Sequence, residues 1–445
     1  MGVVRERRFY LQTLGCKVNW CDSDAFARAA RSRGWVQVGR VSDAQVALVN
    51  TCTVTGHADA TARKVIRALH RANPSIPLIV AGCYARTDAA SVAQVCEGVH
   101  VVPGLPVDAT LALMEQLAEA AGEQPHGAKG EPDLATGETL GVRSCDSMRG
   151  SSSPVALAPG RTRAFIKIQD GCDQRCAYCK VPLARGPSRS VPVGAVLQQV
   201  EARAAEGFRE IVLTGVNMAL YRDGTTGLAG LLRAVAGLGM VPRIRLSSVE
   251  ATAVDECLLA VFAAHPSVVP HIHMPLQSGS PRVLARMQRV VTREQFCAAA
   301  REFYRCRPDG VITTDVLVGF PGETPADVAE TRAVIEEIGF GKVHVFPFSP
   351  RPGTAAAAMP GRVRPAEVRA REAEIIRAAA EAARRCRERF LGVPLPVLIE
   401  QQRDGWWEGF SHNYLRVRTR RRGVRPGDIV ELTVNQRDTL FVFPC

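Results

Sequence analysis

The chain has 445 residues, 46% hydrophobic and 22% charged, which is the composition of a soluble globular protein and too long for one ordinary domain. No apolar run approaches the roughly 20 residues of a membrane span, and the charged opening "MGVVRERRFY" is not followed by the apolar stretch of a secretory signal, so a cytosolic protein is expected. In that reducing compartment the 14 cysteines argue against a disulfide framework, and a net charge of +12 suits a polyanionic partner such as RNA.

Residues 1–120 alternate strand and helix. "RRFYLQTLGC" predicts a strand ending at Cys16, and "SDAFARAARSRG" a helix capped by Asp22 or Ser23 and stopped by Gly34. "VALVNTC" and "IPLIVAGC" predict apolar strands ending at Cys52 and Cys83, with the helix "ADATARKVIRALHRAN" between them. Short apolar strands alternating with helices indicate a parallel α/β sheet. The carboxyl ends of parallel strands share one edge, so Cys16, Cys52 and Cys83 are expected to converge there. The competing reading for any one of them is a buried core thiol. Cys21 forms an apparent C-x4-C pair with Cys16 but falls at the predicted helix start, away from the strand end.

Residues 121–160 are rich in Gly, Ser, Pro and charge and read as a flexible linker. Residues 161–385 alternate again. "AFIKIQDG", "EIVLTGVN", "RIRLSSVE", "HIHMPLQ", "VITTDVLVGF" and "KVHVFPFSP" are predicted strands, and six βα units fit a partial barrel better than a closed eight-fold one. Residues 386–445 follow a charged helix and carry short strands separated by turns such as "RPGD", the pattern of a small β-barrel.

"DGCDQRCAYCKVP" places Cys172, Cys176 and Cys179 at C-x3-C-x2-C, close enough for three thiolates to reach one small centre. A structural zinc site closes with four ligands. Three thiolates on a four-iron cluster leave one iron open, as catalysis requires. A zinc site completed by a distant His or Cys, in a non-catalytic RNA-binding protein, is the alternative.

This spacing, with Tyr178 just before the last cysteine, resembles the radical S-adenosylmethionine (SAM) superfamily. Together with "TLGCKVN", "VNTCTVT", "VAGCYA", "LTGVN", "HIHMPLQSGSP", "DVLVGFPGET" and "FPFSPRPGTAA", the chain resembles the methylthiotransferases: an N-terminal cluster domain, a radical SAM domain and a C-terminal TRAM domain, covering nearly all of it except the linker. The resemblance implies two [4Fe-4S] clusters and SAM. Cys172, Cys176 and Cys179 would hold the cluster that chelates SAM and releases a 5'-deoxyadenosyl radical. Cys16, Cys52 and Cys83 would hold the cluster that carries the sulfur to be inserted, and a second SAM would give the methyl group. Tyr178, Thr214, Gly215, Ser248, Glu250, Gln277 and Gly319 match elements that would hold SAM. At the position of Cys21 the family more often carries an aromatic residue.

Three branches of the family modify isopentenylated adenosine in tRNA, threonylcarbamoylated adenosine in tRNA, or an aspartate of a ribosomal protein. "LGCKVN", "NTCTVT", "HMPLQSGS" and "GWWEGFSHNYLRVRT" are most similar to the threonylcarbamoyladenosine branch. That implies a tRNA anticodon stem-loop as partner, a low-potential electron donor such as flavodoxin or ferredoxin, and a monomer without a membrane anchor. Six arginines lie between Arg416 and Arg425, near Trp406, Trp407, Phe410 and Tyr414; arginines position phosphates and aromatic rings stack bases. Arg416 and Arg418 are candidate substrate contacts, and Arg185 and Arg189 of "ARGPSRS" match the family motif as candidate contacts of substrate or cluster. No residue stands out as a catalytic acid or base. His271 and His273 read as packed residues of one strand face. Cys257, Cys297, Cys306 and Cys386 read as helix thiols, and Cys96, Cys145 and Cys445 have no partner pattern.

Overall fold

The computed structural model describes residues 6–121, 162–435 and 438–442. All but the first residue of the linker expected over 121–160, together with Cys145 and Cys445, falls outside them. The chain forms two compact units, Met1–Pro159 with Leu183–Gly186, and Gly160–Pro182 with Pro187–Cys445.

In the first unit β1 (Arg7–Thr13), β2 (Trp35–Gln37), β3 (Val46–Thr51), β4 (Leu78–Gly82) and β5 (Val99–Val101) form a parallel sheet of order β2-β1-β3-β4-β5. Every residue of β3 and β4 is buried, which is why both read as unbroken apolar runs: helices cover both faces. Alternate side chains go to opposite faces. Phe9, Leu11, Val46, Leu48 and Ile79 pack on α1 (Lys17–Ser32) and on the helix Val107–Ala121. Ala47, Val49, Leu78 and Val80 pack on α2 (Gly56–Ala72), whose Thr55 cap accepts from the Ala58 N–H at 3.1 Å.

The start of α1 differs from expectation. The helix begins at Lys17 with Cys16 as its N-cap, so neither Asp22 nor Ser23 caps it and Cys21 lies inside it. The Ser23 hydroxyl is taken up by tertiary bonds instead: it accepts from Thr13 Oγ1 at 2.7 Å and from Asn50 Nδ2 at 2.9 Å. β1 correspondingly stops at Thr13, three residues before Cys16. Cys52 and Cys83 directly follow their strands, and Cys83 at once opens the short helix α3 (Cys83–Thr87).

The second unit contains the six expected parallel strands: β6 (Arg163–Lys167), β7 (Glu210–Thr214), β8 (Arg243–Leu246), β9 (His271–His273), β10 (Val311–Val318) and β11 (Lys342–Pro347). β6, β7 and β8 pair in one sheet and β9, β10 and β11 in another. Parallel bridges Ile244–Val268 and Ser248–His273 join β8 to the β9 segment, making an open partial barrel. One strand face, with Ile166, Ile211, Leu213, Ile244, Ile272 and Ile312, forms the apolar core against the helices. The other face carries most of the polar side chains, among them Glu210, Arg243, Arg245, Thr313 and Asp315. His271 and His273 both bond Thr313 Oγ1, at 3.1 and 2.9 Å, and His273 also bonds Asp315 at 3.2 Å.

The long helix α4 (Pro365–Glu388) leads into β12 (Pro394–Arg403), β13 (Trp406–Ser411), β14 (Arg416–Thr419), β15 (Ile429–Thr433) and β16 (Thr439–Phe441). These antiparallel strands, in the order β15-β12-β13-β14-β16, curl into a half-barrel around Leu395, Val397, Ile399, Val417 and Leu432. A bulge between Ile399 and Gln401 bends β12.

Charge fastens this half-barrel to the first residues of the barrel strands. Glu210, fully buried, accepts from Arg245 Nε at 2.7 Å and Arg243 Nη1 at 3.3 Å. Arg243 also donates to the carbonyls of Phe410, at 3.1 Å, and Pro396, and Arg163 pairs with Glu400 at 2.7 Å. Arg163 and Arg245 cover the ring of Tyr414, which stacks on Phe410 with centroids 4.7 Å apart. Phe410 and Tyr414 are therefore engaged inside the protein rather than presented for base stacking.

Candidate functional site

The order β2-β1-β3-β4-β5 changes direction between β1 and β3. The chain leaves β1 through α1 on one face and β3 through α2 on the other, which opens a crevice at their carboxyl ends, the usual place for a ligand in such sheets. Cys16 and Cys52 follow these two strands, and Cys83 follows the adjacent β4. The structure brings the three together: both Cys16 and Cys83 act electrostatically on Cys52.

Close packing enforces the convergence. Gly15, at φ +94°, turns the chain so tightly that a Cβ there would lie 2.3 Å from Cys52 Cβ and 2.7 Å from its Sγ. Gly82, at φ +95°, leaves room only for a hydrogen, since a Cβ would lie 2.4 Å from Asn50 Oδ1. Buried Asn19 braces the two loops, donating to Leu14 O at 2.8 Å and Thr51 O at 3.0 Å. Its Oδ1 accepts from Arg185 and faces Cys83 Sγ at 3.8 Å. Arg185, which belongs to this compact unit, also pairs with Asp22 at 3.0 Å. Burial pushes the Cys52 thiol up to about 12 and the Cys83 thiol up to about 11. Bare, they hold their protons; a bound metal takes those protons' place.

The second triad sits in the loop after β6. Cys172 accepts from Asn217 Nδ2 at 3.8 Å, and Cys176 from Arg289 Nη1 at 3.6 Å. Backbone N–H groups at Gln174 and Val181 serve Cys172 and Cys179. Burial raises both of those thiols, Cys179 to about 12. Donors aimed at sulfur suit thiolates that hold electron-rich iron. Among the described residues, no three His, Cys, Asp or Glu side chains close on one metal ion. Thiolates on different irons of a cluster stand further apart than the ligands of a single ion. Both donor sets are chemically those of iron–sulfur clusters.

Of the residues expected around SAM, Glu250 is tied to this triad through Arg289, and the others are held by their own local contacts. Glu250 accepts from Arg289 at 2.6 Å. Thr214 is buried and accepts from Ser247 Oγ at 3.0 Å. Gly215 lets Gln169 approach, since a Cβ there would lie 3.0 Å from its Oε1. That oxygen accepts from the Asn217 N–H at 2.9 Å. Ser248 bridges to His273, and Gln277, at φ +68°, bridges to Val316 through its backbone. Gly319 donates its N–H to Glu323 at 2.8 Å, and Tyr178 packs beside Phe320, Val283 and Met287.

Of the candidate RNA contacts, Arg189 is exposed in a short ribbon opposite Asp170. Arg416 pairs with Glu408 at 2.5 Å, and Arg418 and Arg420 lie 4.8 and 4.5 Å from the Trp406 ring. Arg420, Arg421, Arg422 and Arg425 are exposed. Asn19, Asn50, Asn217 and Arg289 were missed in the sequence. The first two stand in "CKVN" and "VNTC" as polar residues amid apolar ones, a usable signal. Arg289 is 113 residues from Cys176 and gave none.

The chain matches the Radical SAM superfamily over residues 166–335 and the family described as Uncharacterized protein family UPF0004 over residues 8–104. It is 35% identical to the threonylcarbamoyladenosine tRNA methylthiotransferase MtaB of Treponema pallidum, over 79% of this chain and 83% of that protein. It is 31% identical to a tRNA-2-methylthio-N(6)-dimethylallyladenosine synthase of Cereibacter sphaeroides, over 96% of each. In fold it resembles the radical SAM methyltransferase TsrM of Kitasatospora setae, with TM-score 0.54 and 16% identity, over 79% of this chain and 77% of that one. The chain belongs to the radical SAM methylthiotransferase family. It is an enzyme of that class, with SAM and two [4Fe-4S] clusters as cofactors. Among the described residues, no helix is long and apolar enough to cross a membrane.

Proposed function

We propose that this enzyme installs a methylthio group at C2 of N6-threonylcarbamoyladenosine, next to the anticodon of tRNA. The observation that carries the substrate is the likeness to MtaB over most of both chains. Cys172, Cys176 and Cys179 hold the cluster that binds SAM, and Cys16, Cys52 and Cys83 hold the cluster that provides sulfur. When bound, these groups supply a carbon-centred radical and a sulfur atom, chemistry that acid–base side chains cannot perform on an unactivated C–H bond.

The chain's own residues bind and shield. Asn217 and Arg289 donate to cysteine sulfurs, and the hydrogen bond between Ala177 N and Met287 O, 2.9 Å, closes the cysteine loop against the barrel. Arg185 does the corresponding work beside Cys83, donating to its sulfur, while Asn19 Oδ1 accepts from Arg185 and faces the thiol. Tyr178, Thr214, Gly215, Ser248, Glu250, Gln277 and Gly319 surround SAM. The exposed Arg420–Arg425 segment, with Trp406, meets the anticodon stem-loop, and Arg189 contributes a further cation. The enzyme works as a monomer in the cytosol with a flavodoxin- or ferredoxin-type reductant.

Nucleoside mass spectrometry of tRNA from a strain lacking this gene tests the substrate. The 2-methylthio form of threonylcarbamoyladenosine should disappear while its precursor accumulates. If that form persists, the assignment fails; if the 2-methylthio isopentenyl nucleoside is lost instead, the enzyme belongs with the dimethylallyladenosine synthases.

A further inference from the structure

Arg289 lies outside every motif that marked the site in the sequence, yet its side chain is only 4% exposed and spans the cysteine loop and a strand end. Nη1 donates to Cys176 Sγ at 3.6 Å. Nη2 donates to Glu250 Oε2 at 2.6 Å and to Pro275 O at 3.3 Å. Nε is buried without a hydrogen-bond partner. The backbone N–H of Arg289 donates to Leu284 O at 3.0 Å, and nearby Met287 O accepts from Ala177 N at 2.9 Å, so the segment is fastened to the cysteine loop from below. A cation is thus held against one sulfur of the triad and counterbalanced by one carboxylate.

We infer that Arg289 is a positioning residue that sets the electron affinity of the cluster held by Cys172, Cys176 and Cys179, with Glu250 as its trimming counter-charge; this rests on the cluster assignment made above. A one-electron reduction puts negative charge on the irons and their thiolates. A hydrogen bond to sulfur and a nearby positive charge both favour the reduced form, and burial makes the charge count for more. Guanidinium keeps its proton at any working pH, so the effect does not titrate. Glu250 at 2.6 Å offsets part of that field while fixing the aim of the fork. A residue that only braced the loop would change stability without changing the potential.

The test uses full-length protein in which Cys16, Cys52 and Cys83 are alanine, so that one cluster remains, reconstituted without oxygen and titrated redox-wise by electron paramagnetic resonance. Arg289→Met should keep the iron content of the parent and move the midpoint to lower potential, with Arg289→Lys in between. Glu250→Gln should move it the opposite way, upward, because the guanidinium is then less compensated. Unchanged potential in an iron-loaded Arg289→Met protein, or shifts of the same sign in both variants, overturns the inference. Should Arg289→Met hold no iron, Glu250→Gln decides alone: an upward shift supports the role, and a downward or absent one overturns it. A parent protein that takes up no iron overturns the cluster assignment and this inference with it.

Discussion

Gly15 shows how one atom governs the N-terminal triad. Replacing its hydrogen with a methyl group puts carbon 2.3 Å from Cys52 Cβ and forces a side chain into φ +94°. The loop has to move, and Cys16 and Cys52 can no longer approach. Gly15→Ala should therefore drop the iron content from about eight to about four per chain, with SAM cleavage retained by the other cluster. Cys21→Ala should leave about eight irons, because that thiol lies inside α1 rather than at the strand edge. Iron and sulfide analysis after reconstitution checks both; full iron in Gly15→Ala, or a loss in Cys21→Ala, contradicts the placement. The two cysteine triads were legible as candidates, one from its close spacing and the other from the carboxyl ends of neighbouring parallel strands. What holds them was legible only in part: Asn19 and Asn50 stand out as polar residues of the cysteine motifs, but their bonds to Thr51 and Ser23, and that of Arg289 to Cys176, run across 27 to 113 residues with no local periodicity. The helix start in "CDSD" escaped for the same reason. Ser23 has a good capping side chain, but its hydroxyl bonds Thr13 and Asn50, and such tertiary bonds override a local preference.

Among the elements, the clearest case is the junction between the half-barrel and the barrel strands. The six strands were legible as short apolar-rich runs set between helical stretches, but that pattern cannot say that Arg163, Glu210, Arg243 and Arg245 are all engaged in one junction. Burial alone would raise the Glu210 carboxyl. Arg245 opposite it, with its hydrogen bonds, and then Arg163 and Arg243, outweigh that and hold it at about 2. Because its folded value lies below the ordinary 4.5, its ionised form stabilises the fold fully above pH 4.5, and that contribution is lost as pH falls toward 2. Glu210→Gln leaves three guanidinium groups facing a neutral amide and should destabilise this unit by about 3–5 kcal/mol. Denaturant melts at pH 7 should show that loss, and the gap between parent and variant should narrow toward pH 2. A gap independent of pH would mean that packing, not the carboxylate charge, holds the junction.

For the molecule as a whole, the net charge of +12 is a statement about partners only if the charge is placed to be used. Much of it is not. Arg163, Arg243, Arg245 and Arg289 are paired or capped inside the protein, and Arg416 is paired with Glu408. The segment Arg420–Arg425 is different, with four exposed arginines, of which Arg420 lies over the Trp406 ring. Each arginine that neutralises a phosphate releases counterions, and binding then weakens with salt in proportion to the number of phosphates neutralised. Changing Arg420, Arg421 and Arg422 together to alanine leaves up to three phosphates without their cation. The slope of log affinity against log salt should fall by about 0.9 for each phosphate of a paired stem left unneutralised. Because arginines on phosphates carry no base information, tRNA with and without the threonylcarbamoyl group should lose affinity by the same factor. Filter binding of both RNAs from low to physiological salt measures this. An unchanged slope would remove this segment from the RNA interface, and a loss confined to the modified RNA would make these arginines readers of the nucleoside instead.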